Sequence, residues 1–185
     1  DITQLRSQEE ELNRLAHCDS LTGLANRHRL MQTCKQLLSV RQAPDMPSSL
    51  IPLSFYLLDL DDFKSVNDSF GHVMGDLLLQ EVAARLQRTV DEQVLTRGAV
   101  LARLGGDEFA LLLTRWHTAL DRDMVGSLLR EALSAPWLNE SRRVDIRASI
   151  GVSSWTLPNT GVEGLLREAD VALYEAKAAG RDKVL

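Results

Sequence analysis

Three carboxylates, Asp59, Asp61 and Asp62, close the apolar run Leu53-Ser54-Phe55-Tyr56-Leu57-Leu58. A run of that length reads as a strand buried on both faces, and acids at its end need a purpose. Along an extended strand Asp59 and Asp61 project to one side and Leu60 to the other. Acids there would complement the dipole of a following helix. They would equally suit a divalent cation, since Mg2+ takes oxygen ligands and commonly uses one or two carboxylates together with substrate phosphates. A second pair of acids, Asp107-Glu108, follows Gly105-Gly106 between two apolar runs, 100–104 and 109–113. Those runs predict a β-hairpin with the glycines at its tip, where glycine allows positive φ and close approach to a ligand. A purely structural hairpin has no use for acids at that point. If Asp107 meets Asp59, their charges repel unless a cation lies between them. Carboxylates that converge across a sheet hold Mg2+ in many phosphoryl- and nucleotidyl-transferases.

Cations and purine-reading groups accompany these acids. Phe63-Lys64-Ser65-Val66-Asn67-Asp68 follows the first strand, then Gly71-His72 and Gly75-Asp76. Lys64 offers a partner for phosphate. Asn67 and Asp76 offer groups that read a purine edge. Asp suits guanine, whose N1–H and 2-amino group its two oxygens accept. The same stretch also reads as a plain turn, with Asn67 and Gly71 between two helical pieces. Toward the C-terminus, Asp170, Tyr174, Lys177 and Arg181 are spaced 4, 3 and 4, which predicts one helix face. Its two cations either complement the helix dipole or clamp a triphosphate.

The elements that must position these residues follow from apolar spacing. Helical spacing runs through Leu30, Leu37 and Leu38, over 74–90, over 121–134 and along Val162, Leu165, Leu166, Ala169, Ala172, Leu173 and Ala176. Gly23 supports a turn before the first of these, and Asn26 is placed to cap it. The segment 42–49 is a loop by composition. A further strand is predicted over 143–154 from the alternation of Val144, Ile146, Ala148 and Ile150. The order predicts an α/β (α+β) domain with a central, mainly antiparallel sheet flanked by helices. Residues 1–17 are polar, with Leu5 and Leu12 seven apart and a second row at Ile2, Glu9 and Ala16. That short heptad reads as an N-terminal signalling helix that pairs with a partner chain.

Composition sets the outer bounds. The chain has 185 residues, 44% of them hydrophobic, and a net charge of −5. This is one domain with a short extension, able to bury roughly 70% of its unfolded surface. No apolar run approaches the ~20 residues of a membrane span, and the chain opens on no signal peptide. The acidic balance disfavours nucleic acid as a partner, while a single nucleotide needs only a few local cations. Cys18 and Cys34 make no disulfide framework and fit a reducing, cytoplasmic setting. His17, His28, His72 and His117 form no His-x-x-x-His pair, so a zinc enzyme is not expected.

Five ordered motifs now stand together. They are Asp19-x-Leu21-Thr22-Gly23-Leu24-x-Asn26-Arg27, Asp59-x-Asp61-x-Phe63-Lys64-x-x-Asn67-Asp68, Gly71-His72-x-x-Gly75-Asp76, Ala102-Arg103-Leu104-Gly105-Gly106-Asp107-Glu108-Phe109, and Tyr174-x-Ala176-Lys177-x-x-Gly180-Arg181. Over residues 19–185 the chain resembles the catalytic domain of diguanylate cyclases, the GGDEF family, with residues 1–18 as a connecting helix. The resemblance implies a fold similar to the palm of class III nucleotidyl cyclases. It implies a homodimer in which each domain holds one GTP, the two condensing to cyclic di-GMP with release of two pyrophosphates. It places Mg2+, with Mn2+ as an alternative, on Asp59, Asp107 and the Leu60 carbonyl. It makes Asp107 the base for the 3′-hydroxyl, with Glu108 beside it, and Lys64 the stabiliser of phosphate charge. Asn67, His72, Asp76, Phe63, Gly105 and Gly106 would bind the substrate, and Lys177 and Arg181 its triphosphate. The family's inhibitory Arg-x-x-Asp falls on Thr96 and Ala99, so feedback by product through that site is expected to be weak or absent. Asp1-Ile2-Thr3 resembles the close of a PAS sensor domain, implying an upstream sensor. The alternative function is a catalytically silent GTP-binding module that controls an attached phosphodiesterase domain.

Overall fold

Alternation along the strand Leu53–Leu60 sorts its side chains between two cores. Tyr56, Leu58 and Leu60 enter one, while Leu53, Phe55 and Leu57 enter the other. A strand buried on both faces must lie inside a sheet covered by helices on each side. The computed structural model, which describes residues 2–41, 53–94, 99–113, 122–140, 142–155 and 161–185, has that architecture. The elements in order are α1 (Ile2–His17), β1 (Ala25–Asn26), α2 (Arg27–Arg41), β2 (Leu53–Leu60), α3 (Phe63–Phe70) and α4 (His72–Thr89). A π-helical turn, Val90–Val94, leads to the hairpin β3 (Val100–Gly105) and β4 (Glu108–Leu113). Then come α5 (Arg122–Ala132), β5 (Trp137–Asn139), β6 (Arg142–Val144), β7 (Ala148–Trp155) and α6 (Val162–Ala178).

The main sheet has the order β1-β3-β4-β2-β7. The short β1 pairs with β3 in parallel, and every other pairing is antiparallel. One face is covered by α4 and α5, whose Leu79, Val82, Leu86, Val125 and Leu129 join the first core. The other face is covered by α2 and α6 through Leu30, Cys34, Leu38, Leu165, Ala169 and Leu173. Asn26 caps α2 as its position predicts, its Oδ1 accepting from the Arg29 N–H at 3.0 Å.

The single strand expected over 143–154 is two. β6 pairs with β5 in a separate hairpin, and β7 pairs with β2. Val144, Ile146, Ala148 and Ile150 are all buried in one core. The two-residue period therefore runs through the break while the hydrogen-bond partner changes. A side-chain pattern reports burial and not pairing, so the break left no mark on it. The loop at 42–49, Thr96, Arg97 and His117 lie outside the described residues.

Candidate active site

Asp59 belongs to the set of β2 residues that face α6, and what happens there depends on how closely α6 approaches. The α6-facing positions of β7 are Ser149, Gly151 and Ser153. A Cβ on Gly151 would lie 2.1 Å from Ala169 O and 2.3 Å from Leu173 N, so helix backbone rests directly on strand backbone. Ser153 Oγ donates to Leu165 O at 2.7 Å. One turn beyond Leu173, Lys177 reaches over the sheet end, its Nζ 2.8 Å from Asp59 Oδ1. Burial pushes the Asp59 carboxyl above the usual range, the Lys177 contact opposes this, and the charge of Asp107 adds to the rise. The Asp107 turn is bonded to the same end of β2 through the Leu60 N–H, so the two acids belong to one sheet end.

The hairpin tip lies against the end of β2. Leu60 N–H donates to Asp107 O at 3.3 Å, and Glu108 stands opposite Asp59 in the ladder. Gly105 has φ of 135°, which glycine alone adopts readily, and Gly106 has φ of 54°, in the left-handed region that favours glycine. Arg103 secures this turn. Its Nε and Nη2 donate to Gly106 O at 3.0 and 2.8 Å, and its Nη1 meets both Asp19 oxygens at 3.1 Å. Asp19 in turn accepts from the Thr22 N–H and Oγ1 at 2.9 and 2.7 Å. The first motif thus braces the signature motif, a role its residue types alone did not disclose. Glu108 faces Arg27 at 3.5 Å in an exposed pair, which contributes little.

The groups expected to read the nucleoside sit on α3 and the start of α4. Only Gly71 stands between the two helices, at φ 85°, its N–H on Asn67 O at 2.8 Å; Asn67, expected in the turn, lies within α3. That turn also presents side chains. Gly75 is buried, and a Cβ there would fall 2.0 Å from Asn67 Oδ1 and 3.2 Å from Phe63 Cζ. The missing side chain lets Asn67 and Phe63 pack against α4. The sequence marked Gly75 only as part of a motif. Lys64, His72 and Asp76 are exposed along the same rim.

Arg181 does not share a helix face with Asp170, Tyr174 and Lys177. The helix ends at Ala178, with Gly180 at φ 112°, its N–H on Lys177 O at 3.3 Å and the Arg181 N–H on Ala176 O at 3.1 Å. This glycine-terminated cap turns the chain out of the helix before Arg181. The 4, 3, 4 spacing is therefore broken by Ala178-Ala179-Gly180, whose glycine is the stop signal. Asp61, on the Asp59 side as alternation predicts, accepts from Ser149 Oγ at 2.8 Å and from the Asp182 N–H at 3.0 Å.

The donor set at the sheet end is two carboxylates, Asp59 and Asp107, and nearby backbone oxygen. Among the described residues no cluster of three or more His, Cys, Asp or Glu side chains exists to make an all-protein cage. Hard oxygen donors in that number fit Mg2+, which completes its shell with water and substrate phosphate.

Comparison with known proteins identifies the family and the fold. The family model described as "Diguanylate cyclase, GGDEF domain" matches residues 16–183. The bifunctional diguanylate cyclase/cyclic di-GMP phosphodiesterase MucR of Pseudomonas aeruginosa is 37% identical over 180 residues, covering 97% of this chain and 25% of that protein. The cyclic di-GMP phosphodiesterase PdeB of Shewanella oneidensis is 34% identical over 188 residues, covering 100% of this chain and 20% of that protein. The chain thus spans a quarter or less of the length of these relatives. The crystal structure of the coiled coil and GGDEF domain of DgcB from Caulobacter crescentus, in complex with c-di-GMP, superposes with a TM-score of 0.81 at 27% identity, covering 99% of this chain and 92% of that one. Motifs, sheet order and family match agree, and this chain belongs to the GGDEF, or diguanylate cyclase, domain family.

Proposed function

We propose that this domain is an active diguanylate cyclase that supplies one half-site of a homodimer. The observation that carries the reading is the Lys177 contact with Asp59 at the sheet end to which the Asp107 backbone is bonded, beside an intact Gly105-Gly106 tip. Asp59, Asp107 and the Leu60 carbonyl are the proposed Mg2+ ligands, with Mn2+ as an alternative. When bound, the ion would neutralise phosphate charge and favour displacement at the α-phosphate. Asn67 and Asp76 would hold the guanine edge, with Phe63 and His72 around the nucleoside. Gly105 and Gly106 let backbone approach the substrate. Lys177 exchanges part of its contact with Asp59 for the triphosphate, and Lys64 and Arg181 add positive charge from the rim. Asp107, with Glu108 beside it, accepts the proton of the 3′-hydroxyl as that oxygen attacks the α-phosphate of the facing GTP and pyrophosphate leaves.

Lys64, His72, Asp76, Gly105, Gly106 and Arg181 are all exposed. An open shelf of this kind suits a site completed by a second domain. Residues 1–18 would then be the connecting helix and 19–185 the catalytic domain, with a sensor upstream. Purified chain with GTP and Mg2+ is expected to yield cyclic di-GMP, and Asp107→Ala to yield none. A silent GTP-binding module is the second reading, prompted by the relative named as a phosphodiesterase. GTP binding without product at high chain concentration would establish it instead.

A further inference from the structure

The last five residues do not trail away from α6. Residues 183–185 return along the outer edge of β7, the last strand of the sheet. The Ile150 N–H donates to Lys183 O at 2.7 Å, the Leu185 N–H to Ile150 O at 3.0 Å and the Val152 N–H to Leu185 O at 2.7 Å. Val184 seats over α5 at Gly126, where a Cβ would lie 2.5 Å from Val184 Cγ1. Between the helix and this strap the chain bends sharply. Arg181 and Asp182 have φ of 62° and 47°, two consecutive non-glycine residues in the left-handed region. Such a bend persists only when its surroundings hold it.

Asp61 is what holds it from the sheet. Its Oδ2 accepts from the Asp182 N–H at 3.0 Å and its Oδ1 from Ser149 Oγ at 2.8 Å. Its own N–H donates to Arg147 O at 2.9 Å, which sets the carboxylate in place. Arg130 meets Asp182 from α5 at 3.5 Å, in a half-exposed pair that contributes less. Asp61 is two residues from Asp59 and on the same side of the strand. It nonetheless points its oxygens at the strap and at Ser149, while Asp59 meets Lys177.

We propose that Asp61 is a positioning residue: its carboxylate clamps the Arg181–Asp182 bend and so fixes Arg181 relative to Asp59 and Lys177 for contact with the triphosphate. The inference rests on the reading of Arg181 given under Proposed function. Asn at this position can accept from the Asp182 N–H with its oxygen and donate to Ser149 Oγ with its amide, so Asp61→Asn keeps the clamp and removes the charge. Ala removes both.

Wild type, Asp61→Asn, Asp61→Ala, Arg181→Ala and the Asp61→Ala/Arg181→Ala double variant are compared in turnover, titrating GTP and Mg2+ separately. Loss of a charge-assisted clamp is expected to raise KM for GTP about tenfold in Asp61→Ala. The Mg2+ concentration for half-maximal activity should stay put, and the double variant should match Arg181→Ala alone. Asp61→Asn should restore the wild-type KM. A shift in the Mg2+ requirement, a defect in Asp61→Asn equal to that of Ala, or additive losses in the double variant would each overturn the proposal. If Asp61→Ala does not fold, the Asn variant decides alone, since a ligand or charge role predicts its failure and a clamp predicts its activity. Should the wild type turn over no GTP, the functional reading fails. Amide exchange at 182–185, fast in Asp61→Ala and protected in wild type and Asp61→Asn with β2 protected in all three, still decides the clamp.

Discussion

Two carboxylates in this domain are pushed in opposite directions, and each shift has a consequence. Burial and the Asp107 charge outweigh Lys177 and raise Asp59 above the usual carboxylate range. Native Asp59 then holds its proton more readily than the unfolded chain does, and its ionised form costs stability at neutral pH. The corresponding stability is present below the ordinary carboxylate range and is lost as pH rises through the raised value. Asp59→Asn is expected to raise Tm at pH 7 in a thermal melt while lowering turnover on the order of a hundredfold. Asp19 is the reverse case. Burial raises it, but the Thr22 bonds and Arg103 together prevail and hold it low. Its stabilisation is present above the ordinary carboxylate range and is lost as pH falls through the depressed value. Asp19→Ala is expected to cost about 2 kcal/mol in urea unfolding, the worth of a charge-assisted bond, and to slow turnover by freeing Arg103 from the hairpin tip.

At the scale of elements, the pairing of α6 with β7 sets the reach of Lys177. The contact is helix backbone against strand backbone, made by Gly151 between Ser149 and Ser153. Neither side has room to yield locally, because the atoms met are Ala169 O and Leu173 N rather than flexible side-chain ends. Gly151→Ala must therefore move the whole helix. Overpacking of this kind costs about 1–3 kcal/mol. The expected result is a lower Tm together with a fall in kcat, because Lys177 is carried away from Asp59. A lower Tm with unchanged kcat would show that the helix pivots about its C-terminal end and leaves Lys177 where it is.

Taken together, the described residues present an exposed shelf at one sheet end and an N-terminal helix that leaves Leu12 and Leu15 exposed at 68% and 54%. If two such shelves must face each other, product formed per chain should rise with chain concentration in a dilution series. A flat specific activity from a chain shown to be monomeric by light scattering would refute the half-site arrangement. Feedback is expected to be weak as well, since Ala99 supplies no acid where the family's inhibitory motif needs one and Thr96 no arginine. Low-micromolar inhibition by cyclic di-GMP that disappears on changing Arg97 would contradict this.

Much of this architecture was legible in the residues themselves, for a local reason. Period-two burial on β2 and helical spacing on α6 depend on neighbours in the chain, and the former puts Asp59 and Asp61 on one side of the strand with Leu60 on the other. The glycines at 105 and 106 marked the hairpin tip because few other residues tolerate that backbone. What the chain alone could not disclose lies between residues far apart in sequence. The split of 143–154 into β6 and β7 is a change of hydrogen-bond partner, to which side-chain period is blind. Arg103 on Asp19, Lys177 on Asp59 and Asp61 on Asp182 join positions 84, 118 and 121 residues apart. Such meetings depend on sheet register and on the closeness of helix to strand. Residue type and spacing named the acids and the cations, and tertiary packing decided which of them meet.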